Sequence, residues 1–177
     1  MKTMKKILAF ALAGVMALAL LTGCGTGGSA SHKSIAKAME DYSRVMIDPD
    51  ITYTSSAELD AKLQQLAAKT EFKDVVRAVY NSNSTSTTLS AIRSALLSDP
   101  ALSGKVVYLY CGKYDKDAGM QAINLNARVP VCANTYPAGS IPPSLADERQ
   151  IGLITTSFTD DTTNKKVKVR FAVVVSD

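Results

Sequence analysis

Tyr108, Tyr110 and Tyr114 recur on one side of an alternating stretch, and Asn124, Asn126 and Arg128 recur on one side of the stretch that follows. If both stretches are strands of one hairpin, these side chains share a surface of flat aromatic rings beside amide and guanidinium donors. Such a surface can stack on sugar rings and bond their hydroxyls, or contact a protein partner. An ordinary half-exposed sheet face is the plainer alternative. Three carboxylate pairs also bear on chemistry: Asp48 with Asp50, Asp115 with Asp117, and Asp160 with Asp161. Acid–base hydrolysis of a glycoside needs two carboxyls facing each other across a cleft. Each of these pairs instead stands in a segment of turn composition, where aspartate bonds to its own backbone.

Other chemistry is excluded by residue type. Asp115, Asp117 and Gly119 begin like a calcium loop, but the glycine comes one position early and Asn126 stands where the closing glutamate belongs. His32, the single histidine, adjoins the Gly/Ser-rich segment 25–31 (GTGGSAS), read as a flexible tether. With the histidine in a leash, no serine or cysteine has an imidazole base, and histidine-based zinc chemistry fails as well. No catalytic residue, metal site or cofactor is therefore assigned. Lys166, Lys168 and Arg170 form a basic stripe, read as a solvated face that could also contact anionic wall polymers.

The elements that position these residues follow from periodicity. Ile35, Met39, Tyr42 and Met46 predict an amphipathic helix over 33–47, ended by Asp48-Pro49-Asp50. A second helix starts at Ser55 or Ser56, where Ser55 and Glu58 match a capping box, and carries Leu59, Leu63, Leu66 and Ala67 on one face. Phe72, Val75, Val76, Val79 and Tyr80 continue the stripe to about Asn81, as a bend of that helix or a separate one. After a polar break at 81–88, a further helix runs over 88–98 with Leu89, Ile92, Leu96 and Leu97 inward.

At Lys105 the period changes to 2. Strands are expected over 106–114 and 120–129, joined by a turn at 115–119. The segment 130–149 holds four prolines and is expected to be a loop, within which Ser144 and Asp147 could nucleate one helical turn. Strands over 151–159 and 165–176 form the last hairpin. Val173-Val174-Val175 is apolar on both faces, which makes the final strand central. The expected fold is α+β: about three N-terminal helices packed on one face of a C-terminal antiparallel sheet of about four strands, a single domain over 34–177.

Ahead of this domain stands a leader. Lys2, Lys5 and Lys6 precede a fifteen-residue apolar run over 7–21, and Leu21-Thr22-Gly23-Cys24 closes it. The run is short of the roughly 20 residues a spanning helix needs. The four closing residues resemble the lipobox of bacterial lipoproteins. The resemblance implies that residues 1–23 are removed as a signal peptide and that Cys24 is the lipid attachment site, leading a tether over 24–33. It further implies a protein held on the extracytoplasmic face of the cell membrane.

Three of the twenty basic residues lie in the leader and none of the sixteen acidic ones do, so the mature chain carries seventeen against sixteen, a net charge of +1. Nothing in that balance favours a nucleic acid partner. In an oxidising compartment Cys111 and Cys132 could be bridged, which would close a loop worth roughly 3 kcal/mol. Two buried thiols are the alternative.

Three functions remain open. The first is a noncatalytic binding or interaction module for cell-wall glycan or an envelope protein. The second is a structural or assembly subunit of a surface complex: helix, antiparallel sheet and late cysteine pair resemble pilins, although a lipobox replaces the prepilin cleavage motif. The third is a hydrolase using carboxylates alone.

Overall fold

The structure is a computed structural model and describes residues 30–69, 71–81 and 86–177. The leader, Cys24 and most of the expected tether lie outside the described residues, as does Thr70. The elements in order are α1 (His32–Met46), β1 (Thr52–Ser55), α2 (Ala57–Ala67), α3 (Phe72–Tyr80), α4 (Ser86–Leu97), a 3-10 turn at Pro100–Leu102, β2 (Val106–Lys113), α5 (Ala118–Asn126), β3 (Val131–Cys132), β4 (Glu148–Asp160) and β5 (Lys165–Ser176). The strands form one sheet in the order β1-β4-β5-β2-β3, with β1 parallel to β4 and every other pair antiparallel.

The helix starts follow capping chemistry. Ser31 Oγ accepts the Ser34 N–H at 3.1 Å and Ser56 Oγ accepts the Leu59 N–H at 3.3 Å, so Ser56 rather than Ser55 caps α2. Each bond satisfies a first-turn donor that the helix itself leaves open.

The fold is α+β as expected, but the helices cover both sheet faces. β5 lies in the middle of the sheet and sends Val169, Phe171, Val173 and Val175 toward α2, α3 and α4, where Leu63, Val76, Leu89 and Leu96 are buried. Its Ala172 and Val174 face α1 and α5, against Ile35, Met39, Ala122 and Leu125. The two-sided apolar end of β5 is thus buried between two helical layers, consistent with its expected central place.

The second layer exists because residues 120–129 are not a strand. Asp117 Oδ1 accepts the Met120 N–H at 2.8 Å and starts α5. Within it Gln121, Ala122 and Leu125 are buried, spaced as one face of a helix. The alternation through Ile123 and Leu125 was coincidental, since Ile123 is exposed.

Two short strands also emerge. β1 pairs with the start of β4 from Thr52↔Glu148 to Ser55↔Ile151, and β3 opens the proline-rich segment with Tyr108↔Cys132 and Leu109↔Val131. No helical turn forms at Ser144 or Asp147.

Two glycines let helices lie directly on the sheet. A Cβ at Gly152 would overlap Leu59 of α2 on one face, and a Cβ at Gly112 would overlap the Asn124 carbonyl of α5 on the other. Overpacking of this kind costs about 1–3 kcal/mol, and more where backbone must move. Gly152→Ala and Gly112→Ala are each expected to lower the urea unfolding free energy by at least about 2 kcal/mol. Unchanged midpoints would mean that the helices can lift off at no cost.

Candidate functional site

The expected surface of Tyr108, Tyr110, Tyr114, Asn124, Asn126 and Arg128 does not form. Tyr108 and Tyr110 do share one face of β2, with Tyr114 just past its end, but α5 lies across that face where a second strand was expected. Tyr108 is half-buried and donates its hydroxyl to the Pro143 carbonyl at 2.9 Å, while Tyr110 is buried in the core. Burial pushes the Tyr108 hydroxyl up to about 12 and raises Tyr110 as well.

The other expected residues serve the fold. Asn124 donates to the Lys113 carbonyl at 3.1 Å, and Asn126 donates to the Ala122 carbonyl at 2.9 Å and to Met39 Sδ at 3.2 Å. Arg128 stacks 3.8 Å from the Tyr80 ring centroid, against the α3 layer. Only Tyr114 remains part of a candidate surface.

Cys111 and Cys132 are free and both buried. Cys132 stands opposite Tyr108 and so shares its face, whereas Cys111, three residues along the same strand, points to the other face toward α2, α3 and α4. The sheet therefore separates the two thiols, and the structure shows the two buried thiols of the alternative reading rather than the bridge. Burial also pushes the Cys111 thiol up to about 12.

His32 is not in a leash. It is the first residue of α1, and its Nδ1 lies 2.7 Å from Asp60 Oδ2 on α2. Asp60 Oδ1 accepts the Leu153 N–H of β4 at 2.6 Å, and the residue is only 7 % exposed. A histidine oriented by an aspartate can serve as a base, yet no hydroxyl or thiol among the described residues is hydrogen-bonded to its second ring nitrogen. The pair joins two layers of the fold.

Near it the α1–α5 layer ends and the sheet face opens. Register places Thr155 beside Arg170, Ser157 beside Lys168 and Thr159 beside Lys166, all on that face. Lys168 Nζ sits 3.7 Å from the Tyr114 ring centroid and Arg170 Cζ 5.4 Å from it. Lys166, Lys168 and Thr155 are exposed. Arg170, expected to be solvated, is 2 % exposed instead, and burial lowers its affinity for its proton against the opposing pull of Tyr114 and Asp60. What remains is an open strip of two ammonium groups, hydroxyls and one aromatic ring. It can hold an anionic or polyhydroxylated ligand, the lysines by charge and the hydroxyls by hydrogen bonds.

The paired carboxylates serve turns, as their composition indicated. Asp48, Asp115 and Asp160 each accept the N–H two residues on, at 2.9 Å in every case. Asp117 caps α5 and Asp161 pairs with Arg77. Among the described residues no cluster of histidine, cysteine and carboxylate could hold a metal ion, and no helix is long and apolar enough to cross a membrane. No protein family, curated protein or solved structure significantly matches this chain.

Removing the Asp60 carboxylate would leave the Leu153 N–H buried without an acceptor. Asp60→Ala is expected to cost about 2–3 kcal/mol in urea unfolding, and Asp60→Asn, which keeps an acceptor oxygen, clearly less. Equal losses would show that the bond to Leu153 contributes little. The raised Tyr108 hydroxyl sets an alkaline limit. Its contribution is fully present below the ordinary tyrosine value of 10.0 and is lost as pH rises toward about 12, because the unfolded chain ionises first. Unfolding midpoints followed from pH 8 upward should fall more steeply for the native chain than for Tyr108→Phe.

Proposed function

We propose that this protein is a lipoprotein anchored through Cys24 on the extracytoplasmic face of the membrane. In this reading its domain is a noncatalytic module that binds an anionic polymer of the envelope along the strip Tyr114, Thr155, Ser157, Lys166 and Lys168. The observation that carries the reading is where the strip lies relative to the start of the domain. The Ala30 N–H donates to the Lys116 carbonyl at 2.8 Å, two residues past Tyr114. Cys24 stands six residues before Ala30, and a chain of that length spans at most about 20 Å even when fully extended. An acylated Cys24 would therefore hold the strip close to the membrane, within reach of phosphate- or carboxylate-bearing polymers.

Chemistry supports an anionic ligand over a neutral glycan. Two exposed lysines dominate the strip, and of Tyr108, Tyr110 and Tyr114 only Tyr114 borders it, with its ring already against Lys168.

Two measurements test the reading. Native protein from membranes should show the mass of a chain beginning at an acylated Cys24, and Cys24→Ser should leave the membrane fraction. An intact, unacylated chain would overturn the anchor. Separately, Lys166→Glu with Lys168→Glu should weaken binding to phosphate-bearing wall polymer by at least about tenfold and flatten its salt dependence. Equal binding of neutral glycan by both proteins would overturn the ligand class.

A further inference from the structure

β4 is an interior strand at its start and an edge strand at its end. β1 stops opposite Ile151, whose carbonyl accepts the Ser56 N–H at 2.9 Å, and Asp60 then takes the Leu153 N–H. The β4–β5 register runs without a bulge from Gln150↔Val175 to Asp160↔Lys165. Every second residue after Leu153 therefore directs its N–H and C=O away from β5, which leaves those of Thr155, Ser157 and Thr159 pointing outward. Among the described residues none of these groups has a backbone partner beyond β4.

This stretch also lacks the features that keep edges apart. It contains no proline, lysine, arginine or bulge. At the opposite edge β3 is only two residues long, and Asn134 bonds both the Val107 N–H and the Lys105 carbonyl at 2.8 Å.

We propose that the open end of β4 pairs antiparallel with the same segment of a second copy, about a two-fold axis through Ser157. Ser157 then meets its counterpart and Thr155 meets Thr159 of the other copy, so all the open groups of these three residues are bonded at once. The open stretch is symmetric about Ser157, which is what an isologous contact requires. In this register Phe158 stands opposite Thr156 and Asp160 opposite Ile154, so no like charges face each other. Leu153, already held by Asp60, falls opposite Asp161 in the turn and is not needed.

The axis is normal to the sheet, so the α1–α5 layers of both copies lie on the same side, and so do the two chain entries at Ala30. Two copies tethered to one membrane can therefore pair, although the pairing itself does not depend on the anchor.

The test uses the full chain in detergent micelles, followed by sedimentation velocity as concentration rises. The native chain should pass from monomer to dimer. Ser157→Pro removes an outward N–H, which an edge strand tolerates, and should weaken the dimer at least about tenfold while leaving circular dichroism unchanged. Ser157→Cys should form a 157–157 disulfide on mild oxidation, since residues in such a pair have Cα atoms about 5.5 Å apart. A native chain that stays monomeric overturns the proposal, as does a dimer unweakened by Ser157→Pro. If that variant fails to fold, absence of the 157–157 link in oxidised Ser157→Cys overturns it instead.

Discussion

Asp60 is the group on which the layers depend. Its carboxylate, almost wholly buried, accepts a main-chain donor from β4 and the ring nitrogen of His32 at once, and so joins α2, the sheet and the start of α1. A carboxylate in that position needs donors, because desolvation without them is expensive. The Leu153 N–H needs an acceptor for the same reason, since β1 ends before it could supply one. One side chain settles both demands at the point where β4 changes from interior strand to edge.

The rest of the architecture follows from β5. A strand apolar on both faces must be covered on both, and the chain covers it with α2, α3 and α4 on one side and α1 and α5 on the other. Gly152 and Gly112 bring one helix from each layer against the backbone of the sheet. Cover on the α1–α5 side ends where the strand pattern turns from apolar to basic. There Arg170 is still buried beside Tyr114, while Lys166 and Lys168 reach solvent.

Much of the helical half was legible from spacing. Leu59, Leu63 and Leu66, then Val75, Val76 and Val79, then Leu89, Ile92 and Leu96 are buried at the places their period indicated. The β4–β5 hairpin was equally plain, because its turn residues agree with the alternation from Lys166 to Phe171. α5 was misread because Ile123, Leu125, Ala127 and Val129 alternate as a strand would, while the true helical face includes Gln121, a polar residue that apolar periodicity discounts. The capping role of Asp117 was the local signal that could have corrected it. β1 was missed since four residues beside a helix cap carry too little pattern.

The candidate site was legible only in part. Alternation placed Lys166, Lys168 and Arg170 on one face, but not the end of the helical cover that buries one and exposes two. His32 looked like part of a tether, as its partner lies twenty-eight residues away and no local rule pairs them.

By itself the sequence determined the α+β class, the central place of β5, most helix faces and the turn duty of the paired aspartates, all properties of local spacing and residue type. Only the tertiary structure decided that helices lie on both faces, that Cys111 and Cys132 are kept apart by the sheet, and that His32 meets Asp60. Each of these depends on strand register or on contacts between distant segments, which neighbouring residues do not encode.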